Sequence, residues 1–449
     1  MSKIEVNTVE PQCGTTLTLG ASGDTVTLGT GASQSGFGRT GTVDWQTTPK
    51  TGDFTAVNGE GYFVNTTSGA ITMTMPSGSA GAIVSIQDYN KTFDDNNFIV
   101  APASGQIING GTASASLTIK TEGQGLTFVY VDGTVGWKTV HENEFLKGGE
   151  TFMSATGGTV TCSGNYKIHT FTGPGTFCVS AISATPANNE VSYIVVGAGG
   201  GAGNGNNGSN RNGGGGGGAG GFRESKSGVD CYSASPLEGS TNISVTATAF
   251  PITVGGGGGG GYSANNGDNS VFSTVTSAGG GGGTSDESGA GGGKDGGSGG
   301  GSGNNGGPPG PGGVVAGGSG NTPSTSPPQG KDGSQSPGDF GGGGGGAGAA
   351  GSSSDDGGAG VTTSITGSPV TYAGGGGGGS PPSQGGGGSG GTGGGGNGGP
   401  GCGPGPAGDG TAGTANTGGG GGGGDSGPSG NANGGAGGSG IVVIRYKFQ

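Results

Sequence analysis

The sequence predicts an all-β protein: short β segments, then a β-sandwich-like domain, then a bundle of extended glycine helices bracketed by β-strands. Three observations carry this. Of the 129 glycines, 28 fall in residues 1–190 and the remaining 101 in residues 191–449, so two kinds of polypeptide are joined end to end. The first kind holds short runs that alternate apolar and hydroxyl residues with period two, the pattern of half-buried strands. The second holds glycine in runs, and an apolar segment stands at each end of that region, Tyr193–Val196 and Ile441–Ile444.

In residues 1–43, Thr16–Gly20 (TLTLG) recurs as Thr25–Gly29 (TVTLG), two short strands that each stop at glycine. They bury too little to stand alone and need a partner. Residues 44–141 form the all-β domain, with strands expected at Gly61–Asn65, Ile71–Met75, Ile83–Gln87, Phe98–Val100, Leu117–Lys120 and Leu126–Asp132, ending at Trp137. Leu126–Val131, the most continuously apolar of these, is expected at the centre. Turn residues separate the runs, as in Pro76-Ser77-Gly78 and Asn109-Gly110-Gly111, and the spacing suits a sandwich or small barrel. Residues 142–190 are a linker and then a three-strand meander, Thr159–Cys162, Tyr166–Thr172 and Thr176–Ser180.

Residues 191–449 cannot fold conventionally. Interior glycine costs a helix about 1 kcal/mol relative to alanine, and collagen is excluded because glycine is not confined to every third position. Runs of five or more occupy 213–218, 255–261, 279–283, 341–346, 374–379 and 418–424. Chains of this composition usually remain flexible. Runs of similar length bounded by apolar residues instead suit polyglycine II, the glycine analogue of polyproline II, with three residues per turn and no internal hydrogen bonds. Its backbone groups all point outward, so helices must exchange bonds laterally.

Composition narrows the function. The formal charge is −13, and residues 191–449 hold only seven Lys and Arg, so nucleic acid is not an expected partner. The start, Met1-Ser2-Lys3-Ile4-Glu5-Val6, lacks a secretory apolar core, and no apolar run is long enough for a membrane helix. Five dispersed cysteines and two histidines predict neither a disulfide framework nor a metal site; Cys162 and Cys178, flanking a hairpin, are the one plausible pair. Val195–Ala202 matches a strand ending in GxGxxA, but the adjoining Gly203-Asn204-Gly205-Asn206-Asn207 cannot form the helix a dinucleotide needs. Asp94-Asp95 and Asp355-Asp356 read as turns rather than as a carboxylate pair across a cleft. The expectation is no enzyme activity and no cofactor.

Several segments resemble phage tail fibres of the marine cyanophage type. They are Met1–Val9 with Ser35–Gly41, Gly59–Thr72 with Val129–Asp132, and Tyr166–Thr172 with the glycine runs and the ending Gly440–Tyr446. The resemblance implies a structural virion protein, made in the host cytoplasm and located in the phage tail. It implies a homotrimer, docked to other tail proteins by its N-terminus. The glycine-rich end would then meet a host polysaccharide or outer-membrane protein. A non-adhesive connector or decoration is the alternative. Loops between glycine helices would carry recognition, here within Asn204–Asn212, Tyr262–Ser277, Asn304–Phe340 and Ser352–Tyr372. Tyr262, Phe340 and Tyr372 are the candidate receptor contacts, since aromatics dominate binding hot spots.

Overall fold

The computed structural model describes residues 43–140, 152–205, 213–285, 292–303, 315–336, 338–352, 354–381, 385–401, 407–427 and 430–448. The repeats Thr16–Gly20 and Thr25–Gly29, the start of the expected linker (residues 142–151), and Cys13 and Cys402 lie outside them. The fold is all-β, and the chain divides into two compact units, Met1–Gly149 and Glu150–Gln449.

In the first unit the chain alternates between two sheets. Strands β1 (Asp44–Lys50), β3 (Glu60–Val64) and β5 (Ile83–Asp88) stack in parallel in one. Strands β2 (Phe54–Thr55), β4 (Ile71–Thr74) and β6 (Phe98–Ala101) stack in parallel in the other. Antiparallel strands complete the sheets: β7 (Leu117–Ile119) joins β6, while β8 (Gly125–Asp132) joins β5 and β9 (Gly136–Val140) joins β8. One core lies between the sheets, with Tyr62, Val84, Phe128 and Trp137 from one and Met73, Phe98, Val100 and Ile119 from the other. The expected strands appear within a residue or two of their limits. The expected centre does not: the five-stranded order is β1-β3-β5-β8-β9, so β5 is central and β8 lies next to the edge. Strand β8 buries Leu126 and Phe128 while the alternate Thr127 and Val129 are only partly covered. Its apolar run reflects one buried face, not two.

The second unit is built on two further sheets. One takes the order β10 (Ser154–Thr156), β13 (Gly175–Ala181), β18 (Ala249–Thr253), β19 (Ser270–Phe272), β20 (Val275–Ser277). The other runs β11 (Thr159–Ser163), β12 (Tyr166–Phe171), β25 (Ile441–Lys447), β14 (Glu190–Val196), β15 (Phe222–Ser225), β16 (Glu238–Gly239), with β17 (Ile243–Ser244) also on β14. Two hairpins, β21 (Val361–Thr363) with β22 (Val370–Tyr372) and β23 (Ser426–Gly427) with β24 (Gly430–Asn431), complete the strands. The expected meander is replaced by a split. β11 and β12 pair, but β12 takes the C-terminal β25 as its other neighbour, and β13 joins the opposite sheet. Cys162 and Cys178 therefore sit in different sheets, and both are free.

The two apolar brackets become adjacent strands, paired from Val196↔Ile441 to Ser192↔Arg445. Both are buried on two faces, which explains their unbroken apolar runs. Tyr193, Val195, Val442 and Ile444 face the core between the sheets, with Phe177 and Phe272. Ile194, Val196, Ile441 and Val443 face a second cluster with Phe222, Ile365 and Tyr372.

Beyond that second cluster the strands continue as glycine. β14 and β15 pair antiparallel up to Val196↔Phe222. The same two segments then stay bonded, but only at every third residue: Gly197, Gly200 and Gly203 donate to Gly221, Gly218 and Gly215. Where the side chains end, the pleated ladder gives way to a threefold one.

Candidate functional site

The segment Gly213–Gly221 shows how the array is made. The amides of Gly213, Gly216 and Ala219 donate to Asp339, Gly342 and Gly345; those of Gly214, Gly217 and Gly220 donate to Gly424, Gly421 and Gly418. The amides of Gly215, Gly218 and Gly221 donate to Thr284, Gly281 and Ala278. Its carbonyls accept from three further segments: residues 197–203, residues 376–379, and Ser298 with Gly301. Six neighbours thus surround one extended segment, with each amide direction repeating every three residues. A methyl group added to any glycine from Gly213 to Gly220 would run into a neighbour's backbone oxygen. Glycine is required here by close approach, not by φ, since none of these residues has positive φ.

Where a neighbour is missing, asparagine supplies the carbonyl. Asn269 Oδ1 and Asn266 Oδ1 accept from Gly279 and Gly282, each at 2.9 Å. Asn204 Oδ1 accepts from Gly434 at 2.9 Å and Asn397 Oδ1 from Gly390 at 2.8 Å. Sequence reading missed this role, although the three-residue spacing of Asn266 and Asn269 was visible in it.

The array has two distinct ends. At one, Ala219, Ala347 and Ala373 join the apolar cluster over the sheet. At the other, hydrogen bonds tie together Gly205 with Ala432, Gly213 with Asp339, Gly214 with Gly424, Thr284 with Gly301, Ser380 with Gly399 and Asp425 with Gly408. The stretches 206–212, 286–291, 304–314, 382–384, 402–406 and 428–429 have their flanking residues at this second end. It is the candidate functional surface.

Tyr262 belongs to it: its carbonyl accepts from Ser285, and the residue is 41% exposed. Phe340, partly buried and next to Asp339, belongs to it as well. Tyr372 does not. It is 4% exposed, lies in the apolar cluster at the opposite end, and burial pushes its hydroxyl up to about 12. Of the wider segments expected to be loops, residues 206–212 and 304–314 lie outside the described residues, and much of the described remainder is array: Asn265 and Asp268 accept from Gly201 and Ala198, Gly318 and Gly333 bond to Gly300 and Gly318, and Gly358 to Gly344.

Asp355 holds φ at 84° and its carbonyl accepts from Gly378 at 2.7 Å. Burial, aided by the charge of Asp356, pushes its carboxyl up to about 6. Asp356 Oδ1 in turn accepts from the Ser389 amide at 2.7 Å. Both residues of this acidic pair are therefore tied into a turn. Among the described residues no group of three or more His, Cys, Asp or Glu is placed to hold a metal ion.

No curated protein matches the chain. A family model described as a glycine-rich domain matches residues 170–447, from β12 through the array to the closing strand β25. That match takes in well over half of the sequence and every transition from sheet to array, so the chain belongs to the glycine-rich domain family.

Proposed function

We propose that this protein is a non-enzymatic phage tail fibre or tail-tip adhesin whose glycine array holds recognition loops at one end. The supporting observation is that the end of the array away from the apolar cluster gathers the flanks of six separate interruptions of the chain. The end near the sheet holds the apolar cluster, the β21–β22 hairpin and the Asn321–Gln329 turn, whose Gln329 carbonyl accepts from Phe222, while the flanks of the stretches 206–212, 286–291, 304–314, 382–384, 402–406 and 428–429 lie at the opposite end. Binding loops are characteristically held by a rigid support, and lateral hydrogen bonding provides one here without a side-chain core. The three-residue bonding period supports reading the glycine segments as polyglycine II helices. Tyr262, and Phe340 elsewhere at the same end, supply aromatic surface for a host polysaccharide or outer-membrane protein. The resemblance to tail fibres supports a homotrimer that docks to other tail proteins through its N-terminal segments and takes no cofactor.

The test is competition. Purified full-length protein is expected to bind the surface of a susceptible host and to reduce phage adsorption. Exchanging residues 304–314 for a glycine-serine segment of equal length should abolish binding while leaving thermal stability intact. Incorporation into virions without any cell binding would replace this reading with a connector or decoration role.

A further inference from the structure

In the first unit, the sheet β1-β3-β5-β8-β9 has one face on the core and the other turned outward. Parallel strands such as β1, β3 and β5 are ordinarily covered on both faces. Here the outward face carries a row of aromatic rings across β1, β3 and the end of β5. The ring of Trp45 lies 5.0 Å from that of Phe63, and Phe63 lies 6.4 Å from Tyr89. Trp45 is 41% exposed and Tyr89 54%. Ile83 and Val129, directly opposed on β5 and β8 and half-buried, extend the apolar surface along the same face.

The sequence makes room for this row. Gly61 stands opposite Trp45, and a Cβ there would meet the indole atoms Cδ2 and Cε3 at 2.8 and 2.9 Å, so the ring is seated over β3. The polar groups beside the rings are already satisfied from within. The hydroxyls of Ser85 and Thr127 bond each other at 2.8 Å, and Gln87 Nε2 donates to the Gly123 carbonyl at 3.0 Å. A sugar-binding surface would keep such groups for the hydroxyls of its ligand. Groups with partners of their own suit burial under protein. Among the outward positions set opposite one another by the register, only Lys138, on the outermost strand β9, carries a charge.

We infer that this face packs against the same face of a second copy of this chain. Charge selects that occupant: the chain carries a formal −13, so two copies approach closely only through a surface that holds almost none of it. Aromatic, charge-depleted surface is also the character of the centre of a subunit interface. Five strands about 4.8 Å apart, with a residue every 3.3 Å or so, make a face roughly 20 Å on each side. That is far wider than one polysaccharide chain, and side-chain relief brings it toward the ~800 Å² that each partner gives to a stable interface. Trp45, a large ring already held in place, is the anchor of the contact. The inference does not depend on the adhesin reading, which cell binding tests; assembly in solution tests this one.

The experiment is sedimentation equilibrium with acrylamide quenching of tryptophan fluorescence, on the full-length protein and on Trp45→Lys. The chain has two tryptophans and Trp137 is fully buried, so quenching reports on Trp45. Wild type is expected to assemble, with Trp45 less readily quenched in the assembly than after dissociation by dilution. Trp45→Lys sets a charge in the contact and should weaken assembly about tenfold or more while the far-ultraviolet circular dichroism stays unchanged. A wild type that is monomeric at every concentration overturns the proposal, even where added polysaccharide shields Trp45. An assembly that the lysine leaves intact overturns it as well. So does a wild-type assembly in which Trp45 stays open to the quencher, a readout that stands even if the variant folds poorly.

Discussion

At the scale of single residues, what matters in the array is which direction a position faces. Gly258 is buried, and a Cβ there would strike the Asn265 carbonyl. Gly258→Val should therefore cost about 1–3 kcal/mol, the usual penalty of overpacking. Gly259→Val, one residue along, should cost the fold little; thermal melts of the two variants separate them. His169 offers a different test. It is fully buried between the rings of Tyr446 and Phe177, its Nδ1 lies 2.7 Å from the Gly157 carbonyl, and its Nε2 has no partner. Burial holds its pKa below the usual 6.5. The folded state keeps the ring neutral while the unfolded chain takes up a proton. Stability is then full above about pH 6.5 and falls as pH drops through the window beneath it. His169→Phe should flatten that decline relative to wild type in melts followed from pH 7.5 to 5.

At the scale of elements, the last strand is the keystone. β25 lies between β12 and β14, so the sheet has no centre until the C-terminal residues arrive. Deleting Ile441–Lys447 should leave the second unit unfolded, seen as loss of protease resistance beyond Glu150. Within that strand Arg445 makes a buried ion pair with Asp230, Nε to Oδ1 at 3.0 Å, and its guanidinium lies 4.4 Å from the centre of the Tyr166 ring. Ser192 Oγ donates to the same carboxylate at 2.8 Å. Asp230→Ala strands a buried cation and should destabilise by about 3–5 kcal/mol, while Asp230→Ala with Arg445→Met should recover part of that loss. A chemical denaturation series over the three proteins checks it.

At the scale of the whole molecule, the two units use different sources of order. The first is held by apolar side chains between sheets. The second adds an array in which stability rests on lateral backbone bonds, each contributing about 1 kcal/mol net, so its members must form together. Hydrogen exchange should show this as one cooperative block covering Gly213–Gly221, Gly374–Gly379 and Gly420–Gly424. Fast exchange at Gly216–Gly218 in the folded protein would contradict the lateral bonding.

Much of this was legible in the residues. Period-two alternation located the strands of the first unit, and apolar brackets with runs of similar length announced an ordered glycine region, because both are local consequences of side-chain presence or absence. The partners were not legible. Glycine runs are chemically alike, so nothing in them says that Gly217 donates to Gly421, or that Gly255–Gly261 lies at an edge. Nor could alternation tell that β5 rather than β8 is central, or that β12 meets the strand at the far end of the chain. Tyr262 and Tyr372 looked equivalent beside their runs; only the fold put one in solvent and the other in an apolar cluster. The sequence by itself determined where side chains stop, and with that where a pleated sheet must become a threefold array. Which backbone each amide meets, and which end is left to carry loops, was decided only in three dimensions, because those choices depend on packing between segments that are identical until they are placed.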